Sequence, residues 1–306
     1  MTLFHKLIRK FAYIVAANIN ANINNDETEL LALGSMLSKQ QWLLNSPNFN
    51  DYEFKIFSQF GDDGLIQYLI KHINIKNEIF IEFGVADYSE SNTRFLMMNN
   101  NWKGFVMDGS EQNMVKLKTK YWYWKYSLIN KAVFITKENI NELIAETGFK
   151  NIGLLHIDLD GNDAYILAEL DLKEMNPSII IMEYNAVFGK ERAICVPYDK
   201  NFIRTDKHYS NLYWGASLPA LTYIANNKGY SLIGCNIAGN NAYYIRKDLL
   251  NETIREKTID EAFIISKYRE SREKDFSLSY LDGNERYEII KGLDVINVKT
   301  NEMEKL

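Results

Sequence analysis

The stretch Ile79–Thr93, IFIEFGVADYSESNT, constrains the fold of this chain more than any other segment. An apolar run from Ile79 to Ile81 leads into Glu82, Phe83 and Gly84, then through a polar turn to Ser91-Asn92-Thr93, residue types that cap helices. This is a buried strand running through a tight turn into a helix. Open parallel sheets bind ligands at the carboxyl ends of their strands, so this segment delivers a carboxylate and a glycine to that edge. Gly84 adds backbone angles that a β-carbon forbids.

A dinucleotide-binding turn would read G-x-G-x-x-G, but Ala86 and Ser89 stand at its second and third glycine positions. A pyrophosphate would lack close backbone approach at both, which argues against NAD. A second acid, Asp108, ends the apolar run KGFVMDGS and lies 24 positions after Gly84. That is near the spacing of about 20 for an acid that accepts hydrogen bonds from ribose hydroxyls.

Strand-like runs follow at Phe105–Met107, Ala132–Ile135, Ile152–Ile157 and Ser178–Met182, separated by helix-like segments. A lead-in helix over Gly61–Ile75 precedes them, and alternating strands and helices predict a parallel sheet covered on both faces. After a helix at Leu218–Asn227, Tyr230–Cys235 and Asn241–Arg246 flank a short turn, which makes them antiparallel. The predicted fold is therefore α/β, a doubly wound seven-stranded sheet, mostly parallel, closed by a C-terminal antiparallel hairpin and flanked by N- and C-terminal helical appendages. The expected boundaries are an N-terminal appendage over 1–50, the sheet domain over 51–250 with an insertion at 186–215, and a charged appendage over 251–306 with a ragged end after Val298.

A net charge of -5 and a pI near 5.6 give no general nucleic-acid surface, so no nucleic-acid partner is expected. Cys195 and Cys235 fit neither a disulfide framework nor a zinc spacing. Residues Thr2–Ala17 place Lys6, Arg9 and Lys10 among apolar residues in the manner of a basic amphipathic helix. It would pack on its own domain or a second subunit, or else make peripheral contact with an anionic membrane surface. It is too short and polar to span a bilayer, and the expected location is cytoplasmic, with the inner membrane face as the alternative. No feature fixes an oligomeric state.

Glu82–Asp87, E-F-G-V-A-D, resembles the first motif of S-adenosylmethionine-dependent methyltransferases. Together with Ser58-Gln59-Phe60-Gly61-Asp62-Asp63-Gly64, Ser91-Asn92-Thr93, Trp102–Asp108, Leu155–Asp163 and Gly229–Arg246, it makes the chain similar to FkbM-type methyltransferases, often associated with surface polysaccharides. The resemblance covers about Ser58–Asp248 and implies a class I, Rossmann-like fold that uses S-adenosylmethionine. By analogy Glu82, Gly84, Asp87, Asn92, Thr93, Asp108, Ser110 and Asp158 would surround the cofactor. Asp108-Gly109-Ser110 departs from the glutamate and proline that many of these proteins carry.

Leu154–Asp163, LLHIDLDGND, delivers Asp158, Asp160 and Asp163 to the same edge, where three carboxylates repel unless a positive group sits among them. The next strand ends in Glu183, Tyr184 and Asn185. Oxygen donors of this kind suit magnesium, calcium or manganese. The pattern resembles metal-dependent O-methyltransferases, which implies Asp158, Asp160, Glu183 and Asn185 as ligands of Mg2+ or another divalent cation, with Asp158 and Asp160 also in catalytic roles. The plainer reading is that Asp160–Asp163 forms a turn capping the next helix. His156, within an apolar strand, reads as a satisfied core residue.

The connection Ala186–Gly215 is too long for a plain loop and should cover an acceptor site. It carries His208 as a candidate general base, with Tyr209, Tyr213, Trp214, Arg192, Lys200 and Arg204. The leading expectation is O-methylation of a small-molecule or glycan acceptor, such as a sugar. The alternatives are a metal-dependent glycosyltransferase using Asp158-Leu159-Asp160 as its D-x-D, and a non-catalytic methyltransferase-like scaffold.

Overall fold

Buried aliphatic runs and punctuating turns set the architecture, seen in a computed structural model that describes residues 26–306. The basic segment Thr2–Ala17 lies outside the described residues. In chain order the first elements are α1 (residues 26–40), α2 (Asp62–His72), β1 (Asn77–Phe83), α3 (Arg94–Asn100) and β2 (Lys103–Asp108). They are followed by α4 (Glu111–Lys118), β3 (Leu128–Ala132), α5 (Ile140–Thr147), β4 (Ile152–Ile157), α6 (Asp163–Glu169), α7 (Leu172–Met175) and β5 (Ile179–Glu183). The strand expected at Ala132–Ile135 lies earlier, at Leu128–Ala132, and only Ala132 is shared. The apolar residues Val133–Ile135 continue past the sheet into a loop at its carboxyl edge, which apolarity alone cannot distinguish from strand.

The chain then forms β6 (Ile194–Cys195), α8 (Arg204–Lys207), α9 (Leu218–Asn227), β7 (Tyr230–Cys235) and β8 (Asn241–Arg246). The seven-stranded sheet has the order β3-β2-β1-β4-β5-β8-β7. Strands β1 to β5 pair in parallel, while β8 runs antiparallel to both β5 and β7. This is the doubly wound, mostly parallel seven-stranded sheet with a closing antiparallel hairpin that the sequence predicts. Strand β4 is buried at every position, as a central strand covered on both faces must be.

Two apolar cores flank the sheet. Phe105, Ile144, Leu155, Ile180 and Leu221 belong to one, and Leu65, Leu96, Val106, Leu154 and Ile181 to the other. The Ser58–Gly64 motif fastens α2 between the preceding segment and the terminal hairpin. Asp63 Oδ2 accepts from the backbone N–H groups of Ile56, Phe57 and Ser58, and buried Asp62 accepts from Asn236, Asn241 and Tyr243.

The C-terminal portion contains α10 (Ile259–Ala262), α11 (Gly283–Ile290), β9 (Asp294–Asn297) and β10 (Glu302–Lys305). The expected ragged end after Val298 is instead ordered structure. Strands β10, β9 and β6 form a second, antiparallel sheet, which joins the C-terminus to the 186–215 insertion. Ile194, Val196, Phe202, Trp214, Ile290, Val295 and Leu306 give this sheet its own apolar core. Among the described residues, no helix is long and apolar enough to cross a membrane.

Candidate functional site

The turn after β1 is built by close approach. Gly84 has φ +71°, and a β-carbon there would lie 1.6 Å from the carbonyl oxygen of Asp158, so only glycine fits. Ala86 and Tyr88, at φ +46° and +61°, extend the tight path without glycines. Asp108 staples this turn to the next: Oδ2 accepts from Ala86 N at 2.8 Å, and Oδ1 accepts from Ser110 N at 2.8 Å and Asn113 Nδ2 at 3.3 Å. A carboxylate offers about four acceptor positions, so Asp108 retains room for about one further donor rather than two ribose hydroxyls.

Glu82 is not a ligand-facing acid. Its carboxylate accepts from Ser91 Oγ at 2.5 Å, Asn92 N at 3.0 Å, Thr93 N at 3.2 Å and Thr93 Oγ1, and it pairs with His156 Nδ1 at 2.8 Å. Asn92 also contacts His156 Nε2 at 3.2 Å, and Tyr88 meets Thr93 Oγ1 at 2.8 Å. Burial opposes charge on both partners, yet their mutual hydrogen bond and attraction prevail: Glu82 is held below the usual carboxylate range and His156 above the usual imidazole range. The expected contacts from Glu82, Asn92 and Thr93 to a cofactor are therefore replaced by a sealed network behind the turn, since their polar atoms serve one another.

Asp87 also turns aside, to Lys116 and Lys120. Ser110 caps α4 by accepting from Asn113 N at 3.2 Å. Gly84, Asp108 and Asp158 line a cavity of about 230 Å³ together with Ala86, Gly109, Val133, Phe134, Ile135, Leu159, Asp160, Asn162 and Phe202. The carboxylate of Asp108 and the apolar groups around Phe134 and Leu159 suit a ribose and a flat heterocycle. Ligand pockets usually span about 300–1,000 Å³, so this cavity is small for a whole nucleoside.

Beside this cavity, one carboxylate oxygen each from Asp158, Asp160 and Glu183 lies within 4.8 Å of the others. Glu183 is buried, and its Oε2 has no partner. Burial and the neighbouring acids push Asp158 up to about 6 and raise Glu183 well above its ordinary value. An all-oxygen set with an unpartnered buried oxygen fits a hard divalent cation.

Asn185 does not join the set. Its Nδ2 donates to the carbonyls of Leu212 and Trp214, both at 2.9 Å, and its Oδ1 accepts from Val187 N at 3.0 Å. The amide clamps the insertion because it supplies the hydrogen bonds that this buried backbone needs. Asp163 likewise folds back onto its own turn, accepting from Leu159 N at 2.8 Å and Gly161 N at 3.0 Å; the turn of the plainer reading is present, but its capping is not, because no side chain caps α6.

Within the insertion, His208 contacts Ser210 Oγ at 2.7 Å, and burial lowers its pKa. Among the described residues, no hydrogen bond or ion pair joins it to the acid cluster. Arg192 pairs with Glu304, and Tyr213 donates to the Asp294 carbonyl, so both hold the second sheet together. Arg204 alone of the insertion's cations reaches the cluster, at Asp160. The residues that sequence reasoning missed, Phe134, Leu159, Phe202 and Glu270, sit in loops. Phe134 had one signal, an apolar residue past the end of a strand.

No family model matches the chain, and no curated protein matches it. Weak likenesses link it to solved structures. The SAH-bound Podospora anserina methyltransferase PaMTH1 is 12% identical, with 76% of this chain and 96% of that chain covered at a TM-score of 0.40. An O-methyltransferase from Bacillus cereus in complex with SAH is 12% identical over 72% of this chain and 89% of that one, at 0.39. The N-terminal domain of EvdMO1 with SAH bound is 9% identical over 62% and 80%, at 0.40. The fold assignment rests on the strand order itself.

Proposed function

We propose that this protein is an S-adenosylmethionine-dependent methyltransferase acting on a hydroxyl oxygen of a sugar or glycan precursor, as its resemblance to FkbM-type proteins implies. The observation that carries this reading is the double position of Asp158. It lines the cavity with Gly84 and Asp108, and it also belongs to the acid cluster with Asp160 and Glu183. A methyl donor held in the cavity and a hydroxyl held at the cluster would meet at this residue.

Bound S-adenosylmethionine would supply a methyl group on a sulfonium, which needs an oxygen nucleophile but no metal of its own. Asp108 would hold one ribose hydroxyl, and Phe134 and Leu159 would flank the heterocycle. The methyl group would pass to the acceptor oxygen, with the carbon–sulfur electron pair left on sulfur. Asp158 would receive the hydroxyl proton. Asp158, Asp160 and Glu183 would be the residues to hold a divalent cation, whose chemistry is to acidify and orient a hydroxyl.

The test is calorimetric titration of the full chain with S-adenosylmethionine and S-adenosylhomocysteine, with UDP-sugars as controls and Asp108→Ala as the site variant. Saturable heat from the methionine compounds, weakened in Asp108→Ala, supports the reading. Silence from them with UDP-sugar binding would replace it with glycosyl transfer, and silence from all would leave a scaffold.

A further inference from the structure

Three carboxylates gathered at one strand edge require a positive neighbour, and it comes from outside the main sheet. Arg204 Nη1 donates to Asp160 Oδ1 at 2.9 Å, and Nη2 pairs with Glu270 of the C-terminal portion. Nε and Nη2 both donate to the Asn211 carbonyl, at 3.0 and 2.9 Å, and the guanidinium carbon lies 4.2 Å from the centre of the Trp214 ring. The Arg204 side chain is 14% exposed, against 62% for Asp160. One end of this ion pair is thus fixed by three further partners, Glu270, Asn211 and Trp214, while the other end stands at the water's edge. Asp160 also holds a left-handed backbone conformation, at φ +55°.

The charge is left unbalanced. One guanidinium serves Asp160 and Glu270, while Glu183 Oε2 lies buried without a partner. A cation held by Asp158, Asp160 and Glu183 would sit against the same carboxylate that Arg204 now holds. Two positive charges at contact distance in a partly desolvated site repel strongly.

We propose that Arg204 is a positioning residue that holds a divalent cation's place at Asp160, so that cation binding to Asp158, Asp160 and Glu183 displaces the guanidinium and loosens the segment around α8. This rests on the methyl-transfer reading only for the role of the cluster beside the acceptor. The exchange would free Nη1 and leave the guanidinium with Glu270, Asn211 and Trp214 alone, a weaker hold on the segment. It would also relax the loop that carries Phe202, whose ring packs on Gly161 and narrows the cavity. Loading of the cluster and opening of the cavity then become one event.

Titration of the full chain with Mn2+ alone, by calorimetry, tests this in the wild type, Arg204→Met and Glu183→Gln, with S-adenosylmethionine affinity measured on the same preparations. Arg204→Met should bind Mn2+ about tenfold more tightly than the wild type, because a competing charge is gone. Glu183→Gln should abolish Mn2+ binding. Equal or weaker binding in Arg204→Met, or no Mn2+ heat in either chain, overturns the proposal. The methionine-compound titrations then report separately whether the methyl-donor site stands. A wild-type measurement guards against a variant that fails to fold: Mn2+ should speed tryptic cleavage after Arg204, and this acceleration should vanish in Glu183→Gln. A cleavage rate indifferent to Mn2+ in the wild type also overturns it.

Discussion

Glu82 and His156 form a buried ion pair between β1 and β4, with Oε1 and Nδ1 2.8 Å apart at directly paired sheet positions. Both side chains are almost wholly buried, at 3% and 4% exposure. Removing Glu82 takes away the group that holds His156 protonated and leaves the buried Ser91, Asn92 and Thr93 donors without their acceptor. Glu82→Ala should therefore lower stability by about 3–5 kcal/mol, the cost of breaking a buried pair. Urea unfolding checks this. An unchanged midpoint would mean that Glu82 faces a ligand instead.

Gly84→Ala should be damaging for a different reason. The new methyl must displace the Asp158 carbonyl while the backbone stays left-handed. The combined strain and overpacking should cost about 2–4 kcal/mol. The same change at Gly148, which also has positive φ but meets nothing within 4 Å, should cost less. Thermal unfolding of the two variants side by side separates strain from collision.

Asp108→Asn should separate binding from folding. The amide keeps an acceptor for one turn but presents a donor to the other, so stability should fall by about 1 kcal/mol. Affinity for S-adenosylmethionine should fall by about tenfold, since a charge-assisted bond to ribose is lost. Calorimetry with equal affinities in both chains would remove Asp108 from the site.

Asp87 gives a pH signature. Burial opposes its ionisation, but Lys116, Ser89 and Lys120 outweigh it, so its carboxyl is held well below the usual range. A lowered folded pKa contributes stability above the unfolded value, which is lost as pH falls through the folded one. Asp87→Asn should cost about 1 kcal/mol at neutral pH, a modest figure because Lys116 is 63% exposed. The gap between wild type and variant should narrow as pH drops below about 4. Unfolding curves at pH 7 and in acid test this, and a gap that widens in acid would contradict it.

Deletion of residues 291–306 should not be neutral. It removes β9 and β10 and uncovers Ile194, Val196 and Trp214, now buried against Val295 and Leu306. The melting temperature should fall by several degrees, with reduced solubility from the exposed apolar surface. An unchanged melting temperature would make the C-terminus a true appendage.

The seven-stranded sheet was legible in the sequence because its signals are local. Apolar runs of strand length, helical spacing between them and a short turn before Asn241 depend only on neighbouring residues. The places of Gly84 and Asp108 were legible for the same reason, since Gly84 follows β1 and Asp108 ends β2 at the edge where ligands bind. The direction of a side chain past that edge is not a local property. Glu82 and Asn185 looked like Asp158 in sequence, yet tertiary packing turned the first onto His156 and the second onto the Leu212 and Trp214 carbonyls. Arg204 met Asp160 across 44 residues, and Glu270 across 66, because the insertion folds over the edge of the main sheet and against the C-terminal portion. The sequence alone determined which residues reach the sheet edge, through periodicity and chain order. The tertiary structure decided which of their polar atoms remain free, because that depends on which distant groups arrive to satisfy them.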